Sequence, residues 1–499
     1  MTKSLICPCE DVTLADVDDA LERGFRDLES VKRYTGLGTG ICQGKSCLYT
    51  ASRRIVERAQ TTAAAALPFT PRPPLYPIEL GALASAATLS TPAPSGGVPP
   101  DLEVSRPALR SPEPLRSRAK VVIIGAGVLG LALAHNLALH GETDVVVLEQ
   151  GYLCAGASGR NGGGVRMQWG TPSHIALAKR SIELMGRFAK DLGIHIWLRQ
   201  NGYLFLAQSP EVAAKLERSA ALQNRFGVET QLLTPDAARE IVPGLTLKGT
   251  QLCAYHPKDG VVFPWPFLWG YAQSCARHGI SVETFTRVTG FALSQGKRIG
   301  AVETDRGTIA CETVVLAAGA WSPQIARLAG IALPNRPQRH EILSTEGLKP
   351  FLGPLVSVLD SGLYFSQSMR GEIVGGMGDP REAPDLNAGS TFQFLTRFSQ
   401  AITEQLPRLA RVKVLRQWAG SYDVTPDNNP ILGRTPGLPN LLQLSGFVGH
   451  GMMMAPAVGE RMAAWMATGE SDELFSRYNL ARFSASAGNA TEREEMIIG

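Results

Sequence analysis

The chain has 499 residues, of which 44% are hydrophobic and 19% charged, a balance typical of globular proteins with a large buried core. Its formal net charge of +4 is small for this length and disfavours nucleic acid or an anionic membrane surface as a partner. The first residues lack the apolar run of a secretory signal, and the longest apolar stretch, residues 121–134, falls short of the roughly 18–20 residues that a membrane span needs. We therefore expect a cytoplasmic protein without an integral membrane segment.

Residues 1–58 predict a small helical domain. In residues 11–24 the apolar side chains recur at helical spacing, Thr13 stands as N-cap and Asp16 three positions later, a near match to a capping box. A second helix is predicted over residues 49–59. The loops that flank this helical unit carry four of the eight cysteines, namely Cys7, Cys9, Cys42 and Cys47.

The spacing of these four cysteines indicates a metal site. In a reducing compartment, a dense cysteine group binds metal more often than it forms disulfides. A [2Fe–2S] cluster needs four thiolates, so Cys7 and Cys9 can serve one iron while Cys42 and Cys47 serve the other. A structural zinc site is the first alternative and disulfides are the second. The remaining cysteines lack metal-type spacing and are interpreted as small buried apolar residues: Cys154, Cys253, Cys275 and Cys311.

Residues 59–118 are interpreted as a linker. They contain about a dozen prolines among alanine, serine, threonine and glycine. Residues 77–87 are apolar enough to pack against another part of the molecule, so the linker need not be loose throughout.

A dinucleotide-binding fingerprint follows the linker. Residues 120–124 predict a buried strand, a glycine turn leads into a helix, and a second strand over residues 144–148 ends at Glu149. The glycines permit the tight turn and a close approach to a pyrophosphate, and the helix N-terminus offers N–H groups to phosphates. Glu149 can accept hydrogen bonds from a ribose. The turn consists of Gly125, Ala126, Gly127, Val128, Leu129 and Gly130.

Three later segments favour FAD over NAD. The glycine-rich run 156–164 can bring backbone N–H groups against a second phosphate or the flavin ring. Residues 313–321 form a strand that ends in small residues and can pass under an extended cofactor. Residues 444–456 are glycine-rich and then helical, and this helix N-terminus can stabilise negative charge on a reduced flavin. Besides the fingerprint, the expected cofactor contacts are Gln150, Ser158, Arg160, Asn161, Gly162, Gly163, Val288, Ala318, Gly319, Trp321, Gly446, Gly449, His450, Gly451 and Met452.

The rest of the chain alternates helical and strand-like patterns. Helical periodicity occurs near residues 182–192, 212–226 and 392–406. Short β-rich runs recur at residues 145–148, 203–206, 313–316 and 441–444. The pattern predicts an α/β protein.

A family resemblance is carried jointly by the segments GAGVLG, ASGRNGGGVRMQW, LAAGAW, QRHEIL, YFSQSMRGEIVGG, GSYDVTPDNNPILG and SGFVGHGMMMAPAVG. With them the chain resembles the D-amino-acid-oxidase-like flavoproteins, above all the β-subunit type of heteromeric sarcosine oxidase, cyanide synthase, and D-hydroxyproline or opine dehydrogenase. The resemblance implies bound FAD and oxidation of a C–N bond in a secondary amine or amino acid. It also implies a domain plan for residues 119–475. A Rossmann-like FAD-binding domain (119–190, 260–330, 415–470) interleaves with an antiparallel-sheet substrate domain (191–259, 331–414), and residues 476–499 form a tail.

The motif TGLGTGICQGKSC resembles the small domain of bacterioferritin-associated ferredoxin, which also occurs in partner subunits of the heteromeric oxidases. The resemblance implies a disulfide-reductase-like α subunit that binds NAD or FAD, and a small ferredoxin-like subunit, as partners.

Pro264 departs from the pattern of this family, because β subunits of sarcosine oxidase carry at this position a histidine bonded to FMN. Covalent FMN is therefore not expected, FMN at a subunit interface stays open, and glycine, an imino acid or an opine is favoured over sarcosine.

Substrate recognition calls for a cation and hydroxyl groups, because a carboxylate binds arginine and tyrosine well. Each such residue also has an ordinary structural interpretation, as an ion pair or a packed ring. The predicted activity is a dehydrogenase that passes electrons through [2Fe–2S] to a partner subunit or respiratory acceptor. The alternatives are a peroxide-forming oxidase and a non-catalytic electron-transfer subunit. The candidate catalytic residues are Arg166, Tyr255, Tyr364, Arg370 and His450, with His340 as a further candidate.

Overall fold

The computed structural model describes residues 3–58, 60, 72–86, 113–294, 298–484 and 493–496. The strands, in chain order, are β1 (Leu5–Cys7), β2 (Val12–Thr13), β3 (Ile78–Glu79), β4 (Arg118–Ile124), β5 (Val145–Leu148), β6 (Gly164–Val165), β7 (Tyr203–Ala207), β8 (Gln231–Leu233), β9 (Leu252–His256), β10 (Gly260–Val261), β11 (Ser281–Glu283), β12 (Val288–Ser294), β13 (Arg298–Thr304), β14 (Gly307–Leu316), β15 (Arg336–Gly347), β16 (Leu355–Val358), β17 (Leu363–Gln367), β18 (Glu372–Met377), β19 (Lys413–Val424), β20 (Ile431–Thr435) and β21 (Leu438–Ser445).

The helices, in chain order, are α1 (Leu14–Glu22), α2 (Leu28–Thr35), α3 (Leu48–Arg58), α4 (Leu80–Ala84), α5 (Val128–Leu139), α6 (Pro172–Leu192), α7 (Pro210–Arg225), α8 (Pro235–Ile241), α9 (Pro264–Arg277), α10 (Ser322–Leu328), α11 (Phe392–Gln405), α12 (Gly451–Thr468) and α13 (Glu473–Arg477). The helices and strands predicted from periodicity are confirmed. Among the helices that the structure describes, none is long and apolar enough to cross a membrane.

The first module, residues 3–58, packs α1, α2 and α3 around one apolar cluster. The predicted capping box is present: the Asp16 N–H donates to the Thr13 hydroxyl at 3.2 Å, and the Thr13 N–H donates to the Asp16 carboxylate at 2.8 Å. Helix α2 was not predicted. It is short, and although Leu28, Val31 and Tyr34 share one face, its buried residues include Glu29 and Lys32, so the apolar face is not clearly separated from the polar one in the sequence.

The nucleotide-binding sheet has the strand order β11-β5-β4-β14-β13-β12, with β21 also paired to β14. Strands β4, β5, β14 and β21 run parallel, and their continuous apolar runs are buried on both faces. Helices α5 and α12 pack together in the largest apolar cluster. The carboxyl ends of four parallel strands therefore meet at one edge.

The second large sheet has the order β3-β19-β15-β18-β17-β16-β7-β9-β8 and is mostly antiparallel. Helix α11 covers it through Phe398 and Ile402, which are fully buried. This sheet interleaves with the first along the chain, so the predicted fold class, an α/β nucleotide-binding domain with an antiparallel-sheet domain, is confirmed.

Part of the proline-rich region is docked on the second sheet. Strand β3 pairs antiparallel with β19, and the Leu80 N–H donates to the Val412 carbonyl at 2.9 Å. Leu80 and Leu83 are buried in the core of the second sheet. The rest of the predicted linker, apart from residues 60, 72–77, 85–86 and 113–118, lies outside the described residues.

Candidate active site

A cleft of about 1450 Å³ lies at the carboxyl ends of the parallel strands β4, β5, β14 and β21. Ligands of open α/β sheets bind at this edge. Most of the cofactor contacts expected from the sequence line the cleft: Gly125, Gly127, Val128, Leu129, Glu149, Gln150, Ser158, Arg160, Asn161, Gly162, Val288, Ala318, Gly319, Trp321, Gly449, Gly451 and Met452. The remaining five lie behind this lining: Ala126, Gly130, Gly163, Gly446 and His450.

The turn between β4 and α5 requires glycine at two positions. Gly125 has φ +113°, and a Cβ there would lie 2.4 Å from the Ala317 carbonyl oxygen. A Cβ at Gly130 would lie 2.1 Å from the Gly125 carbonyl oxygen, so glycine lets α5 approach the strand. The two glycines thus set the backbone that faces the cleft.

Glu149 ends β5 inside the cleft. Its carboxylate accepts hydrogen bonds from the Gly151 N–H at 2.9 Å and the Ala126 N–H at 3.2 Å. Burial raises the pKa of this carboxyl group. The carboxylate is therefore fixed at the end of the second strand, where the fingerprint expects a ribose.

Two further features fit an anionic, hydrogen-bonding cofactor such as FAD. Helix α12 begins at the cleft with Gly451, has no side-chain cap and has no acidic residue in its first turn. Its N–H groups and dipole therefore favour negative charge. The Ser421 hydroxyl lines the cleft and is buried without a hydrogen-bond partner among the described residues. The residues present fit FAD: the N-terminus of α5 would hold a pyrophosphate, and the N-terminus of α12 would stabilise negative charge elsewhere on the cofactor.

One part of the cleft is walled by three stacked rings. The His340 ring lies 4.6 Å from Tyr422 and 5.6 Å from Tyr364, both nearly parallel to it, and His340 Nε2 is 3.0 Å from the Tyr364 hydroxyl. Burial lowers the pKa of His340 to about 4 and raises the pKa of both tyrosines. Sequence reasoning missed Tyr422, although the segment GSYDVTPDNNPILG contains it. All three side chains are neutral near pH 7.

Arg166 and His450 lie together behind the cleft. Arg166 is fully buried, donates to the carbonyls of Gln168 and Met496, and lies 3.9 Å over the Trp169 ring. His450 Nε2 is 3.4 Å from the guanidinium, and burial holds the pKa of His450 well below its usual range. Neither side chain lines the cleft.

Tyr255 and Arg370 are not in the cleft either. The Tyr255 hydroxyl donates to the Asn201 carbonyl at 3.2 Å, and the ring packs against Gly202. Arg370 forms an ion pair with Glu10 of the first module and contacts Thr39. Of the candidate catalytic residues, the structure brings together His340 and Tyr364 at the cleft, while Arg370 belongs to a second cavity.

The second cavity, of about 1110 Å³, lies between the first module, the second sheet and the segments 159–162 and 261–265. Asn161 and Gly162 line both this cavity and the cleft, so the two adjoin. Aromatic rings of Trp265 and Trp418 and the ring of Pro264 also line it. Its described charged lining has five cations and two carboxylates: Lys32, Arg33, Arg72, Arg370, Arg416, Glu29 and Glu372.

Among the described residues, the single carboxylate of Glu29 lies close to three cations of the second cavity. Glu29 lies 2.9 Å from Lys32, 2.8 Å from Arg33 and 3.5 Å from Arg72. Burial lowers the pKa of Lys32 to about 7 and that of Arg72 to about 10. Several cations grouped at one cavity wall can donate charge-assisted hydrogen bonds to a phosphate or carboxylate, so this lining suits an anionic ligand.

The four N-terminal cysteines come together in the first module, where Cys7 and Cys47 are buried in the apolar cluster, Cys42 is half-buried and Cys9 is exposed. Their thiols interact across the two loops, Cys9 with Cys42 and Cys7 with Cys47. A Cβ at Gly40 would lie 2.4 Å from the Cys9 Cβ, so glycine permits this approach. Burial alone would raise the pKa of the Cys42 thiol. Hydrogen bonds from the backbone N–H groups of Ser46 and Gly44 and from the Cys9 thiol outweigh burial and lower this pKa.

All eight cysteines are free thiols, and Cys154, Cys253 and Cys275 are buried as expected, with Cys311 half-buried. Across the described part of the chain, no three His, Cys, Asp or Glu side chains are grouped to hold a single metal ion. The N-terminal thiols therefore offer two pairs rather than one four-ligand cage.

Comparison with known proteins matches two parts of the chain to two protein families. Residues 120–465 match the FAD dependent oxidoreductase family, and residues 1–87 match the Sarcosine oxidase A3 domain, not the ferredoxin family that the cysteine motif resembles. The sarcosine oxidase β subunit of Rhodobacter capsulatus is 31% identical over 75% of this chain and 91% of that subunit. The corresponding subunit of Rhizobium meliloti is 32% identical over 76% and 91%.

Among solved structures, L-proline dehydrogenase from P. horikoshii aligns with a TM-score of 0.70 and 35% identity, covering 74% of this chain and 98% of that chain. L-proline and sarcosine, the compounds named for these two enzymes, are both secondary amines. The chain therefore belongs to the FAD-dependent oxidoreductase family, which confirms the flavoprotein predicted from its sequence.

Proposed function

We propose that the protein dehydrogenates a small secondary amine or amino acid, of the glycine, proline, hydroxyproline or opine type, at the cleft. The observation that carries this is the neutral ring wall of His340, Tyr364 and Tyr422 beside the uncapped α12. FAD supplies the acceptor for the hydride that leaves the carbon next to nitrogen. The substrate nitrogen must be uncharged before the adjacent carbon can release a hydride, and burial from water disfavours the charged ammonium form relative to the neutral amine.

The chain's own groups then orient the substrate and take up a proton. The tyrosine hydroxyls can donate to a substrate carboxylate, because their raised pKa keeps them protonated. Asp423 also lines the cleft, and burial raises its pKa to about 7, in the range of a group that exchanges protons near neutrality.

The test is anaerobic mixing of the purified protein with glycine, sarcosine, proline, hydroxyproline and an opine, while flavin absorbance is followed. Bleaching by one of them is expected, and Tyr364→Phe should weaken binding of that amine. Bleaching by none contradicts the dehydrogenase and favours an electron-transfer subunit. Stoichiometric hydrogen peroxide in air would favour a direct oxidase.

We further propose that Cys7, Cys9, Cys42 and Cys47 hold a [2Fe–2S] cluster. Two thiol pairs match the ligand requirement of two irons, although they are Cys9 with Cys42 and Cys7 with Cys47 and not the pairs expected from the sequence. N–H donors at Cys42 suit a thiolate that binds such a cluster. About two irons and two sulfides per chain are expected, with loss in Cys42→Ser and retention in the control Cys311→Ser. Zinc in place of iron would contradict the assignment.

For the second cavity we propose non-covalent FMN. Its excess of cations suits a phosphate, its tryptophans suit an aromatic ring system, and Pro264 supplies no atom for a covalent link. This places two flavins and a cluster on one chain, through which electrons would reach a disulfide-reductase-like α subunit, a small ferredoxin-like subunit or a respiratory acceptor. Co-purification of such chains tests the heteromer.

Acid extraction followed by chromatography tests the FMN assignment. Equal amounts of FAD and FMN are expected from the wild type, with FMN alone lost from Arg72→Met. Arg381→Met is the matched control, since Arg381 is exposed and pairs with Asp379 away from this cavity. Release of FAD alone by the wild type would contradict FMN.

A further inference from the structure

We infer that the segment 493–496 positions the substrate end of the cleft from behind, a role that rests on the proposed amine oxidation. Glu494 and Met496 are 0% and 1% exposed, as deeply buried as the core of either sheet. The Glu494 N–H donates to the Asp427 carbonyl at 3.2 Å, and its own carbonyl accepts from Asn428 at 3.1 Å. The segment is thus built into the molecule at defined contacts.

The Glu494 carboxylate is part of this built contact. One oxygen accepts the N–H groups of Gly170 at 2.9 Å and Met496 at 2.8 Å. The other oxygen lies 3.6 Å from His174 Nδ1. A Cβ at residue 170 would lie 2.6 Å from the carboxylate, so Gly170 leaves the space that Glu494 occupies.

The segment also completes the surroundings of Arg166. The guanidinium donates to the Met496 carbonyl, and the charges of Glu494 and Asp259 attract it. A fully buried cation without such partners is strongly unfavourable, so the position of Arg166 depends on the segment.

Two routes connect the segment to the cleft. Through Arg166 it reaches His450, the residue that precedes α12 and stands between Gly449 and Gly451 of the cleft lining. Through Met496 it joins the apolar cluster of Tyr203, against which Tyr364 of the ring wall packs. The first route ends at the N-terminus of α12 and the second at Tyr364, and the proposed function uses both of these groups.

The test compares Glu494→Gln with Glu495→Gln, whose carboxylate is half exposed and lies 3.8 Å from Lys215. The probe is pyrrole-2-carboxylate, a planar proline analogue that resists oxidation, with its Kd read from the perturbed flavin absorbance. Glu494→Gln is expected to raise this Kd about tenfold at unchanged FAD content, whereas Glu495→Gln leaves it within about twofold of the wild type. Unchanged flavin content separates positioning from folding.

A double-mutant cycle and a volume-conserving variant sharpen the test. If Glu494 acts through Arg166, combining Glu494→Gln with Arg166→Gln weakens analogue binding no further than one substitution alone, whereas independent effects would multiply. Met496→Leu should retain the wild-type Kd and Met496→Ala should not. If Glu494→Gln loses FAD, the comparison of Met496→Leu with Met496→Ala takes its place as the test. Loss of FAD from Met496→Ala as well would show that the segment is needed for folding and would overturn a role in positioning the substrate.

Two failures are distinguishable. Equal Kd values for Glu494→Gln and Glu495→Gln, in a protein that an amine bleaches, overturn the role of this segment alone. A wild type that no amine bleaches and the analogue does not perturb overturns the proposed function, and this inference with it.

Discussion

Gly125 illustrates how single residues set the cofactor cleft. Gly125→Ala should abolish FAD retention, because the new Cβ meets the Ala317 carbonyl at 2.4 Å in a backbone with φ +113° that already costs on the order of 1–3 kcal/mol for other residues. Gly141→Ala is the matched control: φ is +84°, yet nothing lies within 4 Å of its Cβ. The measurement is the ratio of flavin to protein absorbance, and equal FAD loss in both variants would contradict the steric argument.

The buried carboxyl group of Asp423, also a single residue, should make the free energy of unfolding depend on pH. Burial raises its pKa from 3.8 to about 7, so the folded protein binds its proton more tightly than the unfolded chain. Its contribution to stability is present below pH 4 and is lost as the pH rises towards 7. Asp423→Asn should therefore gain in free energy of unfolding relative to the wild type between pH 5 and pH 8, by a few kcal/mol at most. Denaturant unfolding at the two pH values measures this, and a constant difference would contradict it.

At the scale of elements, the short β3–α4 unit ties the proline-rich region to the second sheet. Leu80→Ala should lower the free energy of unfolding by about 2–5 kcal/mol, because Leu80 is fully buried in that core. Leu75→Ala, five residues earlier and 63% exposed, should change it little. Chemical denaturation checks both. A similar effect of the two substitutions would show that the unit is not docked in solution.

At the scale of the whole molecule, the first module docks through rings and ion pairs. Tyr34 lies 4.9 Å from Trp269 of α9, and Arg416 donates to the Thr39 carbonyl. Tyr34→Ala should speed hydrogen exchange in α2 and α9 and leave α5 unchanged, since local opening follows lost packing. Tyr49→Ala, which removes a ring that is 75% exposed, is the control. Unchanged exchange in Tyr34→Ala would mean that this ring contact does not hold the module.

The sequence by itself determined the nucleotide-binding strand–turn–helix, the α1 capping box and the longer helices, because these depend on local patterns: glycine spacing, cap chemistry and periodicity. It also placed most of the cleft lining, since segments that end parallel strands must meet at one edge. Only the tertiary structure decided which polar residues face that edge. Arg166, Tyr255 and Arg370 have chemistry suited to a substrate, yet none of them lines the cleft. Arg166 donates to the Met496 carbonyl, Tyr255 to the Asn201 carbonyl, and Arg370 pairs with Glu10 of the first module.

Tyr422 and the segment 493–496 show the opposite case, because the sequence did not indicate them and the structure places them at important contacts. Their importance comes from neighbours far away in the chain, His340 for one and Arg166 for the other. The excess of cations in the second cavity likewise arises only when the first module meets the second sheet. Burial and charge pairing depend on the whole packed molecule, and no local pattern carries that information.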